Sequence, residues 1–167
     1  MELPLLCFLV AFAGVIPAQG GILNLNKMIK QVTGKVPFFS YWPYGCHCGI
    51  GGRGEPKDAT DWCCHAHDCC YSHLKGHGCR THLDHYRYTF SQGTVQCSDK
   101  GSTHLDHYRY TFSQGTVQCS DKGSWCEREL CACDKGVAFC MKRNLDSYKK
   151  HLRYYWRPHC KGQTPVC

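Results

Sequence analysis

The sequence predicts a small, mainly α-helical, disulfide-rich fold with two long antiparallel helices and a small β segment. Cysteine supplies 16 of the 167 residues, a density typical of small secreted domains that depend on disulfides. Apolar residues or cysteines recur at helical spacing in three separate stretches. A perfect tandem repeat with β-prone runs lies between the last two of these stretches.

The amino-terminal residues have the outline of a signal peptide. An apolar run from Leu3 to Ile16 precedes a small-residue site, Ala18-Gln19-Gly20. The run is shorter than the roughly 20 apolar residues that a membrane-spanning helix needs, and no later stretch is apolar enough to span. We therefore expect residues 1–20 to be a signal peptide and residues 21–167 to form one secreted domain.

The chain is basic, with a formal net charge of +7. A basic secreted protein tends to associate with anionic surfaces such as lipid headgroups or sulfated glycans. The same charge could simply keep the protein soluble, and charge alone does not decide between these interpretations.

The domain begins with an amphipathic helix. Its predicted apolar face consists of Ile22, Leu25, Met28, Ile29 and Val32. Polar side chains, among them Asn24 and Lys27, fill the other side, and Gly34 marks the predicted end. The aromatic segment that follows contains Pro37 and Pro43, so we expect it to be irregular.

Residues 44–54 read YGCHCGIGGRG and contain five glycines, which predicts a tight loop. Glycine accepts backbone dihedral angles that other residues avoid, so such a loop can turn several carbonyl oxygens inward. Carbonyls joined by one or two carboxylates form a site for a hard cation, and calcium takes about 6–8 oxygen ligands. Magnesium prefers fewer protein ligands and a stricter geometry.

The second helix is predicted to start at Asp58, a good N-cap residue, and to include the stretch DWCCHAHDCCY from Asp61 to Tyr71. Residues four apart lie on one face of a helix. Two neighbouring stripes result, with Cys63, His67 and Tyr71 on one and Cys64 and Asp68 on the other. This helix therefore presents a titratable base, His67, beside an anionic oxygen ligand, Asp68. His65, His73 and His77 are expected to be solvated surface residues.

The last long helix is predicted from Trp125 to Asn144, antiparallel to the second helix and bridged to it. Its cysteines form a stripe with Asp134 near the middle, and they are Cys126, Cys131, Cys133 and Cys140. A histidine base works best when a carboxylate orients its other ring nitrogen, and Asp134 is the candidate for His67. The basic, aromatic tail from Leu145 to Cys167 contains two prolines and is expected to be irregular.

Base, orienting carboxylate and calcium together indicate hydrolysis by activated water, without a serine or cysteine nucleophile. A lone histidine is more often structural, but the position of His67 beside Asp68 and after the glycine loop favours catalysis. Asp134 could equally be an exposed helix charge. A zinc site is disfavoured, since CxxC with a distant HxxxH is absent and a secreted chain favours disulfides.

Residues 81–102 and 103–124 are identical. The repeat indicates a recent duplication, a splice variant or an error of sequence assembly. In each copy YRYTF and TVQC are separated by Ser-Gln-Gly, and each copy is predicted to form its own hairpin. Each also carries one cysteine, Cys97 or Cys119, so removing one copy would turn the odd number of cysteines after the leader into an even one.

Three motifs, YGCHCGIGGRG, DWCCHAHDCCY and CACDKGVAFC, occur in an order and spacing that resembles the secreted phospholipases A2. The start GILNLNKMIKQVTGK and the carboxy-terminal extension ending in Cys167 resemble group II of that family. The resemblance covers the chain after the leader except the second repeat copy. It implies a calcium loop at residues 44–54 and a β-wing in the duplicated region. It also implies calcium-dependent release of the sn-2 fatty acid from glycerophospholipids at lipid interfaces.

The resemblance also implies roles for individual residues. His67 would be the catalytic base, Asp134 its supporting carboxylate, and Tyr71 a hydrogen-bond donor to that carboxylate. Calcium would be bound by the backbone carbonyls of His47, Gly49 and Gly51 and by the Asp68 carboxylate. An acyl channel would be lined by Ile22, Leu25 and Ile29.

The family pattern implies seven disulfides. Six are fully specified, namely Cys46–Cys160, Cys48–Cys64, Cys63–Cys140, Cys69–Cys167, Cys70–Cys133 and Cys79–Cys126. Cys131 would pair with either Cys97 or Cys119, leaving the other as a thiol.

Family resemblance and charge together predict anionic phospholipid surfaces as partners, with heparan sulfate or a cell-surface receptor as further candidates and no nucleic acid. The alternative functions are a non-catalytic receptor or heparan ligand on the same scaffold, and an inactive splice product.

Overall fold

A computed structural model describes residues 20–91, 96–97, 110–111 and 115–167, with side chains described except at 96–97 and 110–111. The predicted signal peptide lies outside the described residues apart from Gly20. The helices are α1 Gly20–Thr33, α2 Pro37–Ser40, α3 Ala59–Gly76 and α4 Trp125–Arg143. The strands are β1 Tyr88–Ser91, β2 Gln96–Cys97, β3 Tyr110–Thr111 and β4 Thr116–Cys119, and 3₁₀ turns cover Lys150–Leu152 and Arg157–His159. Within these ranges, no helix is both long and apolar enough to cross a lipid bilayer.

Helix α1 packs its apolar face against α4, and Met28 is fully buried there. The prediction that Asn24 lies on the polar side was wrong. Asn24 is buried and donates a hydrogen bond from Nδ2 to the carbonyl oxygen of Tyr86. Residues 81–86, which lead into the wing, cover a second side of α1, so α1 is buried beyond its apolar face. The next segment, expected to be irregular, forms the short helix α2, which starts on Pro37 because proline suits the first helical position.

The two long helices begin at the caps that the sequence provides. Asp58 precedes α3, and its Oδ1 accepts a hydrogen bond from the Asp61 N–H at 2.9 Å. Ser124 and Glu127 form a capping box at the start of α4, in which each side chain accepts from the backbone N–H of the other. These contacts satisfy backbone donors that have no partner inside the helix.

Disulfides fix how α3 and α4 are paired. Cys63 is bonded to Cys140 and Cys70 to Cys133, so residue numbers rise on one helix as they fall on the other. The helices are therefore antiparallel, as predicted. All six specified disulfides are present, and Cys131 is bonded to Cys119 rather than to Cys97.

The prediction that each repeat copy forms its own hairpin was wrong. Strand β1 from the first copy pairs with β4 from the second, with Tyr88 opposite Cys119 and Ser91 opposite Thr116. Strand β2 from the first copy pairs with β3 from the second, with Cys97 opposite Tyr110. Because the copies are identical, both pairings have the register of a single-copy hairpin, but the partners are exchanged between copies.

The exchanged pairing follows from how the wing is attached. The chain enters from α3 through the first copy, where Tyr86 is buried, and leaves into α4 through the second copy, where Val117 is fully buried. One complete repeat unit therefore contacts the helices, composed of the first half of one copy and the second half of the other. The extra residues lie between β1 and β4, where they do not separate the wing from α4. Long insertions in such connections add little closure entropy.

Candidate functional site

The predicted base and its supporting carboxylate lie together between α3 and α4. The Nε2 atom of His67 is 2.7 Å from Oδ1 of Asp134, and the Tyr71 hydroxyl donates to the same oxygen at 2.8 Å. Asp134 is fully buried, and the His67 side chain is 11% exposed. The structure thus brings the three predicted residues into one hydrogen-bonded group, which the antiparallel disulfides hold in register.

A fourth member, Tyr86, was not predicted from the sequence. Its buried hydroxyl donates to Oδ2 of Asp134, so both carboxylate oxygens accept hydrogen bonds. Tyr86 lies in the segment between α3 and β1, and the interpretation of the repeat as a hairpin gave it no role. No motif in the sequence singles out Tyr86, because its contact with Asp134 depends on how the wing segment packs against α4.

The hydrogen-bond partners indicate which atoms of Tyr71, Tyr86 and His67 carry protons. Burial, together with the nearby Asp134 charge, raises the pKa of both Tyr71 and Tyr86 above the ordinary tyrosine value, so both remain donors at neutral pH. Asp134 then acts as acceptor for three groups. With Nε2–H of His67 directed to Asp134, the Nδ1 atom is left as the basic nitrogen of the imidazole.

The glycine-rich loop is anchored to α3 by Asp61, another residue that the sequence did not single out. The fully buried Asp61 carboxylate accepts hydrogen bonds from the backbone N–H groups of Cys46 at 2.7 Å, His47 at 2.8 Å and Lys57 at 2.9 Å. A Cβ atom at Gly45 would lie 2.4 Å from this carboxylate, which explains the glycine there. The buried Asp61 carboxylate thus holds the loop backbone from inside the molecule.

The predicted cation ligands lie at the junction of this loop and α3. Gly49 and Gly51 have φ values of 115° and 72°, conformations that favour glycine. Oδ2 of Asp68 is 4.0 Å from Nδ1 of His47 and 3.0 Å from the position that a Cβ of Gly52 would take. The carboxylate therefore adjoins the loop, while His47 is buried with its Nε2 atom 2.8 Å from the Gly54 carbonyl oxygen.

This donor set fits calcium. The predicted ligands are three backbone carbonyls and a carboxylate, all hard oxygen donors of the kind that calcium prefers. Burial raises the pKa of Asp68, and the neighbouring His67, His47, His65 and Arg157 oppose that rise. The loop also has a cationic neighbour, since Arg157 donates a hydrogen bond to the Gly51 carbonyl oxygen at 2.9 Å.

The predicted channel residues differ in exposure. Ile22 and Leu25 are partly exposed on α1, whereas Ile29 is buried in the core. His73 and His77 are exposed, as expected, but the same prediction for His65 was wrong. His65 is buried, with Nε2 3.0 Å from the Pro165 carbonyl oxygen, because a disulfide draws the end of the chain over this part of α3.

Comparison with known proteins gives matches along the chain. A family model described as Phospholipase A2 matches residues 22–106 and 98–153. The two matched ranges overlap inside the duplicated region, as expected for an inserted copy.

Several relatives match over their whole length. The chain is 66% identical over 167 residues to group IID secretory phospholipase A2 of Homo sapiens and 60% identical to that of Mus musculus, covering 100% of each chain. It is 40% identical to the membrane-associated phospholipase A2 of Homo sapiens, again covering 100% of each chain.

Proposed function

The chain belongs to the phospholipase A2 family and is a phospholipid hydrolase, and from this premise we propose that His67 and Asp134 carry out the reaction with calcium bound at the glycine loop. The bond broken is the sn-2 ester of a glycerophospholipid. The observation that carries the proposal is the buried hydrogen bond between His67 and Asp134, located beside a loop of oxygen donors.

In this mechanism the Nδ1 atom of His67 accepts a proton from water as the water oxygen attacks the ester carbonyl. Asp134 stabilises the imidazolium that forms, and Tyr71 and Tyr86 hold Asp134 in place. The proton then passes from His67 to the leaving glycerol oxygen. The low exposure of Asp134 strengthens these electrostatic interactions, since little water screens them.

The ion would be held by the carbonyls of His47, Gly49 and Gly51 and by the Asp68 carboxylate. Bound calcium supplies positive charge for the substrate phosphate and for the oxyanion of the ester carbonyl. Asp61 fixes the loop backbone, so the carbonyls keep their positions before the ion arrives.

Substrate would be reached at a lipid surface. Large exposed apolar side chains occur on α1, on α2 and around the loop, and they include Leu23, Phe38, Phe39, Trp42 and Ile50. Trp42 packs on the loop near Gly49, so part of this set borders the proposed ion site. The net charge of +7 favours anionic phospholipid surfaces. Ile22 and Leu25, which are partly exposed on α1, would border the acyl chain.

Two further proposals concern the location of the protein and its other partners. Secretion to the extracellular space is supported by the names of the relatives and by seven disulfides, which persist in oxidising compartments. Binding to heparan sulfate or to a cell-surface receptor is proposed on the basic charge.

The test is fatty-acid release from anionic phospholipid vesicles by the purified chain, with calcium or with a chelator, and by the variant His67→Gln. Release should disappear with the chelator and fall by about 10³-fold or more in His67→Gln, since the general base is lost. Release that persists in His67→Gln would contradict the proposal.

A version with one 22-residue repeat unit removed is the control for the duplication. Its sequence is the same whichever copy is deleted, because the copies are identical. Activity of this version without activity of the full chain would assign the failure to the repeat and not to the site. If neither version releases fatty acid, the non-catalytic alternative is favoured.

A further inference from the structure

Arg157 lies against the proposed calcium loop, and the mechanism above does not use it. Its Nη1 atom donates hydrogen bonds to the carbonyl oxygens of Ile50 and Gly51, the second at 2.9 Å. Its Nη2 atom lies 3.2 Å from the position that a Cβ of Gly49 would take. The guanidinium therefore covers the loop from Gly49 to Gly51, where two of the proposed ligand carbonyls are located.

The tail of the chain is built to hold Arg157 there. Arg157 begins a 3₁₀ turn with Pro158, and the next residue after that turn, Cys160, is bonded to Cys46 at the start of the loop. The Arg53 side chain also donates to the Arg157 carbonyl oxygen at 3.3 Å. A covalent bond thus ties this segment to the loop, so the guanidinium remains near the carbonyls even when its hydrogen bonds open.

We propose that Arg157 is an intramolecular cation that occupies the calcium loop and that calcium must displace. The inference rests on the proposed calcium site. Its physical basis is that the Gly51 carbonyl is both a partner of Arg157 and a proposed ligand of the ion. Two cations that share this oxygen would lie about 5 Å apart, and their repulsion, even in a water-like dielectric, corresponds to roughly tenfold in affinity.

The exchange of one cation for another has two consequences. Without calcium, the carbonyls of Ile50 and Gly51 bond to a positive charge, so this part of the loop can keep its shape. With calcium, the guanidinium must turn toward solvent, where its charge is hydrated. Arg157 thereby raises the calcium concentration at which the loop fills.

The experiment is calorimetric titration of calcium into the purified wild type, Arg157→Gln, Arg157→Lys and a matched control, Arg153→Gln. Arg153 belongs to the same tail, but its guanidinium lies over the Tyr154 ring and donates to the Tyr154 hydroxyl at 2.8 Å. The control removes the same charge from the same segment, and its guanidinium makes no hydrogen bond to the carbonyls of Ile50 and Gly51. Circular dichroism and disulfide mapping establish that each variant has the wild-type fold.

We expect Arg157→Gln to bind calcium about tenfold more tightly than the wild type, and Arg153→Gln and Arg157→Lys to stay within about threefold of it. Unchanged or weaker binding in Arg157→Gln would overturn the inference while leaving the calcium site intact. So would equal tightening in Arg157→Lys or Arg153→Gln. If neither the wild type nor Arg157→Gln binds calcium, the site itself fails and the inference fails with it.

Discussion

At the scale of single residues, the site depends on how one buried carboxylate is satisfied. Asp134 has no exposed surface, and an unpaired charge there would be costly. It accepts hydrogen bonds from His67 and Tyr71 on one oxygen and from Tyr86 on the other. The same contacts that make the charge tolerable also orient the imidazole, so stability and reactivity are linked at this residue.

This arrangement predicts the effect of Tyr86→Phe. Removing the hydroxyl leaves Oδ2 of Asp134 without its donor, so the free energy of unfolding should fall by about 1–3 kcal/mol. We expect kcat to fall while KM stays unchanged, because Tyr86 acts through Asp134. Chemical denaturation and steady-state kinetics measure the two effects.

The matched control is Tyr88→Phe. The Tyr88 hydroxyl donates to Gln31 Oε1 at 2.6 Å and makes no hydrogen bond to Asp134. Equal losses of kcat in both variants would show that a general loosening of the wing, and not the contact with Asp134, explains the effect.

At the scale of elements, the wing shows how a repeated segment is accommodated. Identical strands offer two partners of equal pairing strength, so local pairing does not choose between copies. The attachment to α4 decides which copy supplies the partner of β1, because β4 leads directly into that helix and carries the cysteine bonded to Cys131. The added residues then fall in the connection between β1 and β4.

The equivalence of the copies predicts the outcome of Cys119→Ser. Cys97 has the same neighbours in sequence as Cys119, so a shift by one repeat unit would bring it to Cys131 with the same strand register. We expect peptide mapping of the variant to find a Cys97–Cys131 disulfide and a folded protein. Recovery of Cys131 as a free thiol would contradict this expectation, and Cys131→Ser is the control that removes both pairings.

At the scale of the whole molecule, several tyrosine side chains are buried among the helices, the loop and the tail. Burial raises the pKa of Tyr41 from 10.0 to about 12. It also raises the pKa of Tyr44, Tyr71 and Tyr86 above the ordinary value. All four hydroxyls therefore hold their protons more tightly in the folded state than in the unfolded chain.

The sign of this difference predicts alkaline unfolding. A pKa raised on folding contributes stability that is complete below the unfolded pKa of about 10 and is lost as pH rises through the folded values. We expect the folded circular dichroism signal to be constant from neutral pH to about 10. Above that pH, it should fall together with a late rise in tyrosinate absorbance. Ionisation of all tyrosines near pH 10 with the fold intact would contradict this prediction.

Much of the fold could be predicted because its signals are local or covalent. Helical spacing identified α3 and α4, the N-cap residue Asp58 located the start of α3, and the placing of a base beside carboxylates supplied the proposed site residues His67, Asp134 and Asp68. The disulfide pairs came from the resemblance to the secreted phospholipases A2. The helical signals depend on positions a few residues apart, and the disulfide pairs depend on the cysteine pattern of the family. His65 could not be assigned in this way, because its burial comes from Pro165, 100 residues along the chain.

The sequence by itself determined the helical framework and the residue types of the site, since spacing and chemical type carry that information. Its family resemblance implied six of the disulfide pairs and left the partner of Cys131 open. Only the tertiary structure decided which half of each repeat copy contacts the helices and which cysteine bonds Cys131, since identical strands have identical pairing energies and only their attachment distinguishes them. It alone also brought Tyr86 to Asp134, Asp61 to the loop N–H groups and Arg157 to the loop carbonyls. These contacts join distant segments whose approach is set by how the helices, wing and tail pack together.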